Sequence, residues 1–519
     1  MPDPTLSLIH EAAPEPCPAR FNAADYVMAA GRQEPQKIAL TVLSGEAEIA
    51  ETWRFADLER AILGVAGALK ARGLARGERV ALRLGNVSAF PVLFFGIQAA
   101  GGVAVPTSAQ LTESEFLRLA EDMRPRFAAI ADDLVLTAQL EGVELLPEAI
   151  WPDLMAHPPG VFEDMAAEDP AVLIYTSGTS GRPKGVLHAH RAAWARRMMW
   201  RGWYGLGAED VMLHAGAFNW TYTLGTGLTD PWAAGAASVI HSAPWGPETW
   251  PEAASAHGAT LFAAVPAIYR QILRSERDLT TAFATLRHGL VAGERLAAGL
   301  HCDWVARSGK PLYEALGMSE ISTFISSGPD TPTRPGHAGR PQRGRRVAVL
   351  EAGEPVPRGM PGDLAVSTDD PGLMLGYLNR EEETAHALSG PWFLTGDRAV
   401  MDADGYISHL GRGDDVMTAQ GYRISPQEVE EALATHPAIA EIAVTQIRMR
   451  EDLALIGAFI VTRSDWPGDE ALAAHAREHL APYKCPHIWQ PVEALPRTAN
   501  GKLLRRRLAE QYVERVNLD

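Results

Sequence analysis

Cysteine is scarce in this chain of 519 residues: Cys17, Cys302 and Cys485 are too few and too scattered for a disulfide framework or a zinc site, which suits a reducing cytoplasm. Basic charge is also in deficit, with 47 Lys and Arg against 64 Asp and Glu and a formal net charge of -17. That balance excludes a surface adapted to nucleic acid or anionic membrane, while leaving room for a local basic pocket. No long uninterrupted apolar run exists. The most apolar stretch, Val87 to Val105, contains Gly96, Gln98, Gly101 and Gly102 and enters a Val-Pro turn, so it reads as a buried helix followed by a strand, not a membrane span. The N-terminus has acids and prolines where a signal peptide has basic and then apolar residues, and a cytoplasmic location is expected. His188 and His190, two positions apart on what reads as a helix, share no face and are read as structural or surface residues. Ser177 and Ser180 lack the partners of a serine hydrolase.

What is present is an ordinary globular composition, 46% hydrophobic and 21% charged, in a chain long enough for two or more domains. Helix and strand alternate from Ala23 to Ala131: helices at 23–30, 55–72 and 88–100 and strands at 38–43, 79–84 and 102–106, with Thr112 and Glu115 forming a capping box for the helix ending at Met123. The alternation resumes after Ala171, with a helix expected over 188–203 and strands at 210–215, 236–240, 260–264 and 286–291. Prolines between 329 and 371 mark a β-rich unit that closes at Trp392 to Asp397. Gly411 to Asp415 reads as a hinge, and Ser425-Pro426-Gln427-Glu428 starts a helix in a compact α+β module of about 100 residues. The fold class expected is α/β: a large N-terminal domain of two α/β subdomains plus a β-barrel-like subdomain over 1–412, and a small α+β C-terminal domain over 413–519.

The stretch AVLIYTSGTSGRPKG, Ala171 to Gly185, carries the first chemistry: a strand, then a loop in which Thr176, Ser177, Thr179 and Ser180 supply hydroxyls, Gly178 and Gly181 free the backbone, and Lys184 supplies positive charge. This is a phosphate cradle, although its spacing is not that of a Walker A loop, and a polar hinge loop is the competing reading. Glu320, in Gly317-Met318-Ser319-Glu320, is suited to Mg²⁺ or is a solvated helix-start carboxylate. Asp397 is placed to accept ribose hydroxyls. Arg412 suits a ligand contact or a surface ion pair equally, and Lys502, in Arg497-Thr498-Ala499-Asn500-Gly501-Lys502, is either a surface charge or a cation carried by a mobile domain.

Taken together, YTSGTSGRPKG, LGMSE, FLTGD, GRGDDVMTAQGYRISPQEVE and PRTANGK resemble the adenylate-forming superfamily of acyl- and aryl-CoA synthetases, carrier-loading adenylation domains and luciferases, from Phe21 to Arg506. The resemblance implies that Thr176 to Lys184 hold ATP phosphates. It implies that Gly293, Glu294 and Arg295, with Glu314, Ala315 and Leu316, surround adenine, that Ser319 touches phosphate, and that Glu320 binds Mg²⁺. Asp397 and Arg412 then hold ribose, Asp414 is the hinge, Gly421, Tyr422 and Arg423 meet coenzyme A after domain rotation, and Lys502 serves adenylation with Thr176 and Glu320.

The implied reaction is ATP-dependent formation of an acyl-AMP followed by thioester formation with coenzyme A. Phe218, Asn219, Trp220 and Tyr222, with Ala292, Gly317 and Met318, would line the acid pocket. Leu316 stands where most relatives have a tyrosine and benzoate-type ligases an aliphatic residue, and Gly317 where acetate ligases carry a pocket-closing tryptophan. An aromatic or medium-chain carboxylic acid is therefore expected, unless Trp220 and Tyr222 are core residues outside the pocket. The alternatives are acid transfer to a free-standing carrier protein and a catalytically silent nucleotide-binding scaffold. The expected partners are the acid and nucleotide, with no nucleic acid and no membrane span, and a homodimer is compatible with all of this.

Overall fold

The computed structural model describes residues 3–12, 15–45, 47–134, 136–138, 140–176, 183–242, 245–412, 417–419, 422–424, 426–450, 453–463, 465–480, 484–497 and 503–516. Apolar residues at helical spacing drive the first layer. In Phe55–Ala71, Phe55, Leu58, Ile62, Val65 and Leu69 are buried along one stripe against the helix Ala89–Ala99, each burial contributing about 1.5–3 kcal/mol. The helix Glu113–Met123 starts on the expected capping box, with Thr112 and Glu115 each satisfying the other's backbone N–H.

These helices cover two large mixed sheets. One orders its strands as Gly376–Tyr377, Lys184–Ala189, Pro170–Thr176, Val103–Thr107, Arg79–Arg83, Phe127–Ile130 and Glu144–Pro147, parallel from Pro170–Thr176 onward. The other runs Arg340–Pro341, Ser322–Ser326, Leu312–Met318, His288–Ala292, Leu261–Ala264, Val211–His214, Ala237–His241, Ile38–Leu43 and Ile49–Arg54. A third, antiparallel sheet built on Arg346–Glu351, Pro361–Ser367 and Trp392–Met401 forms the proline-marked unit. Beyond it lies the smaller α+β domain, in which Ile439–Arg450, Leu453–Thr462 and Ile488–Pro491 pack with Pro426–Ala434, Asp469–His479 and Arg505–Val516. The chain is thus a large α/β domain of mixed sheets with a small α+β C-terminal domain, as expected.

Two local readings change. The helix expected from His188 begins only at Arg191, because Lys184–Ala189 returns as a strand against Pro170–Thr176, pairing Thr176 with Lys184. Val186 and Ala189 are buried there, and cross-strand packing outweighs local helical preference. The described ends of the phosphate cradle, Thr176 and Lys184, therefore belong to two paired strands rather than to a strand and a helix. Likewise Gly317 and Met318 end the strand Leu312–Met318, and Glu320 sits in the turn to Ser322–Ser326 instead of opening a helix. Among the described residues no helix is long and apolar enough to cross a membrane.

Candidate active site

The hairpin 170–189 and the turn at Glu320 meet at Tyr377. Its hydroxyl donates to Glu320 Oε1 at 2.8 Å, and Lys184 Nζ lies 5.2 Å from its ring centroid. The phosphate-loop lysine and the candidate metal carboxylate thus share one aromatic side chain, with the second oxygen of Glu320 uncommitted among the described residues. That free carboxylate oxygen suits a hard divalent cation. Lys184 also pairs with the partly exposed Glu383.

The backbone of the turn is tightly held. His188 Nε2 lies 2.7 Å from Ser319 O; a carbonyl only accepts, so this nitrogen carries the proton. Burial lowers the His188 pKa to about 4 and keeps the ring neutral. His190 is also buried and structural, its Nδ1 accepting the Ala23 N–H at 3.0 Å. The helical reading of both histidines is superseded, whereas their structural role stands for the described contacts.

On the expected adenine side, Glu314 is buried in the strand Leu312–Met318, and burial pushes its carboxyl up to about 7 although Oε1 accepts the Leu296 N–H at 3.1 Å. Ala315 is buried beside it and Leu316 half-buried. Gly293 has φ 90, a conformation suited to glycine, and a Cβ there would approach Trp220 to 3.0 Å. Burial likewise raises the carboxyl of Glu294, which Arg497 of the small domain approaches at 3.5 Å, while Arg295 pairs with Glu431 of that domain. Asp397 is buried; its N–H donates to Thr395 Oγ1, and its backbone pairs in the ladder with Arg412. His409 Nε2 lies 3.4 Å from Asp397 Oδ1.

The aromatic motif divides. Phe218 is core, its ring 5.2 Å from that of Phe90, and Asn219 is half-buried in the adjoining turn. Tyr222 is buried with Ala292 and Ala315, donates to Leu290 O at 3.1 Å and stacks on Trp203, with Trp220 at its edge. Met318 packs elsewhere, with Leu316 against the core containing Ile321 and Phe324. A Cβ on Gly317 would lie 2.5 Å from Ser322 O, so the backbone of the bulged hairpin itself demands glycine at this position.

Ser177, Gly178, Thr179, Ser180, Gly181, Asp414, Gly421 and Lys502 lie outside the described residues; Tyr422 and Arg423 are placed as backbone in the hairpin strand Tyr422–Ile424. Tyr377, Glu383, Arg196 and Arg345 were not singled out from sequence. Only the aromatic residue after Gly376 offered a signal, because the others act through contacts remote in the chain.

Comparison with known proteins bears on the family of the whole chain. The model of the AMP-binding enzyme family matches residues 27–378, and that of the AMP-binding enzyme C-terminal domain matches 428–502. The chain is 31% identical over 479 residues to the 3-hydroxybenzoate–CoA ligase of Aromatoleum sp. (strain CIB), covering 88% of this chain and 91% of that protein. It is 28% identical to the mitochondrial acyl-coenzyme A synthetase ACSM2 of Rattus norvegicus over 529 residues, 95% of this chain and 91% of that one. The crystal structure of the anthranilate CoA ligase AuaEII in complex with anthranoyl-AMP superposes with a TM-score of 0.87 at 27% identity, covering 96% of this chain and 99% of that chain. The motif order and these similarities over most of the sequence establish that the chain belongs to the adenylate-forming superfamily, as an acyl- and aryl-CoA synthetase relative of the benzoate–CoA ligase type.

Proposed function

We propose that the protein is an ATP- and Mg²⁺-dependent carboxylate:CoA ligase acting on an aromatic or medium-chain acid. Membership of the superfamily carries acyl-adenylate formation; the thiol acceptor and the acid class are the proposal. The observation that supports it best is the convergence of Lys184 and Glu320 on Tyr377. A carboxylate attacking the α-phosphorus of ATP brings negative groups together, so cations must sit where charge builds. Glu320 would hold Mg²⁺, which offsets phosphate charge when bound. Thr176, Lys184 and the loop 177–181 would grip phosphates, Ser319 would contact them, and Asp397 with Arg412 would take the ribose. Glu314, Ala315, Leu316 and Gly293 would border adenine, with Tyr222, Trp220 and Ala292 facing the acid.

Lys502 would serve the first half-reaction, and rotation at Asp414 would bring 421–423 toward coenzyme A, with 413–519 moving as the small domain. Acid-dependent pyrophosphate exchange with a panel of benzoates and medium-chain acids tests adenylation, and acyl-CoA detected by mass tests the acceptor. Adenylation without thioester would favour the carrier-protein acceptor. Absence of exchange across the panel would reject the ligase.

A further inference from the structure

The turn that carries Ser319 and Glu320 is gripped from several distant parts of the chain. Besides His188 on Ser319 O and Tyr377 on Glu320 Oε1, the Met374 N–H donates to Glu320 O at 2.8 Å. Two buried guanidinium groups complete the grip: Arg196 Nη1 donates to Ser322 Oγ at 2.6 Å, and Arg345 Nη2 to Thr323 O at 3.1 Å. Each is fixed by a buried carboxylate. Asp230 receives Arg196 Nε at 2.8 Å and Nη2 at 2.6 Å, and Asp370 receives Arg345. Arg196 fits only because Gly225 faces it in the widened helical turn Thr223–Thr229; a Cβ there would lie 2.0 Å from the guanidinium.

Ser322 has φ 68, a left-handed conformation that a non-glycine residue keeps only when its surroundings over-determine it. Packing supplies that constraint on one side only, where the Ser322 carbonyl lies against Gly317; on the other side a cavity of about 100 Å³ reaches the turn, lined in part by His188, Arg196, Ser319, Ile321, Ser322 and Arg345. Toward the cavity the turn has room to relax, and the polar contacts oppose relaxation in that direction.

We propose that Arg196 is a positioning residue for adenylation: through the Ser322 hydroxyl it holds the strained turn, and with it Ser319 and Glu320, in the orientation that receives the magnesium nucleotide. This rests on the adenylating function proposed above. Arg196 touches no reacting atom in this role; the ion pair with Asp230 fixes its plane, leaving Nη1 to read Ser322.

The test uses the full chain and leaves Asp230 paired. In Ser322→Ala and in Arg196→Lys, the Mg²⁺ concentration giving half-maximal pyrophosphate exchange should rise about threefold or more and kcat fall about tenfold, as expected for a lost charge-assisted hydrogen bond, with KM for the acid unchanged. The double variant should be no worse than either single one, since both remove the same contact. Ser322→Asn, which tolerates positive φ and restores an acceptor, should recover most of the Mg²⁺ response. Wild-type Mg²⁺ dependence in Ser322→Ala, or independent multiplication of the two effects, would overturn the assignment. So would a loss confined to melting temperature. A wild-type protein whose melting temperature ignores Mg²⁺ with ATP would instead sink the nucleotide reading, and that outcome is separable because it needs neither variant nor acid.

Discussion

The two sides of the candidate phosphate site are built in opposite ways. Glu320 stands on a turn tied to buried Arg196 and Arg345, whose ion-pair partners Asp230 and Asp370 are each only 1% exposed. Lys184 stands at the rim of a hairpin, and its partner Glu383 is 39% exposed. Water screens the rim pair and weakens it, whereas the buried pairs cannot lose one member without stranding a charge. The division would suit the proposed chemistry, in which the metal side needs fixed geometry and the phosphate side has to admit and release a nucleotide.

The comparison can be broken most directly at Arg345. Arg345→Met leaves Asp370 buried and unpaired and should cost about 3–5 kcal/mol in urea unfolding. A loss as small as that of a rim variant would show the buried grip to be ornamental. Next comes Glu320→Gln, which should lower acid-dependent pyrophosphate exchange by roughly 10²–10³-fold while leaving the melting temperature nearly unchanged. Parallel loss of stability would mean that Glu320 is a structural residue.

The pH dependence of stability separates buried from exposed groups in another way. Glu314 titrates near 7 in the fold against 4.5 for its ordinary value. The native state therefore holds a proton that the unfolded chain has released, and the Glu314 contribution to stability is lost as pH rises from about 4.5 to 7, by about 3 kcal/mol in all. His188, His190 and His288 are lowered from 6.5 to about 4 and His214 to about 3, so their contribution is full above 6.5 and is lost as pH falls. Against the rise that the four histidines give between about pH 4.5 and 6.5, Glu314 subtracts about one proton, so Glu314→Gln should steepen that rise by about one proton in denaturation curves taken across pH. An unchanged profile would remove Glu314 from the account.

Tyr377→Phe keeps the ring beneath Lys184 but removes the hydroxyl on Glu320, and should raise the Mg²⁺ requirement by a few fold, about 0.5–1.5 kcal/mol. The smallest effect belongs to Glu383→Gln: melting should move by less than about 1 kcal/mol equivalent, with ATP affinity equal or tighter because Lys184 is released. A large destabilisation there would erase the contrast between rim and floor.

Much of this layout was legible from local chemistry. Thr112 and Glu115 announced a cap that forms as expected, and the spacing of Phe55, Leu58, Ile62 and Val65 announced a buried helical stripe. Glu320 and Asp397 were visible as carboxylates beside glycine and hydroxyl residues, a setting whose acceptor oxygens suit a metal ion or ribose hydroxyls. What stayed hidden was long-range. Nothing around Arg196 or Arg345 says that both reach the same turn, since the partners lie on other elements and only the tertiary fold joins them. The strand Lys184–Ala189 was masked for the same reason: its β conformation comes from pairing with Pro170–Thr176, across a hydroxyl-rich loop that looked like a helix entry.

Gly317 was expected to deepen the acid pocket, yet its missing side chain also admits the carbonyl of Ser322. Under the proposed function, one stretch of backbone would therefore answer to two selective demands, which acid is accepted and how the nucleotide's metal is aimed. Enlarging this residue to narrow substrate range would disturb the chemistry at the same stroke. Under the proposed function, divergence toward new acids would have its freer route at the half-buried Trp220, since Tyr222 is buried and bonded to Leu290 O.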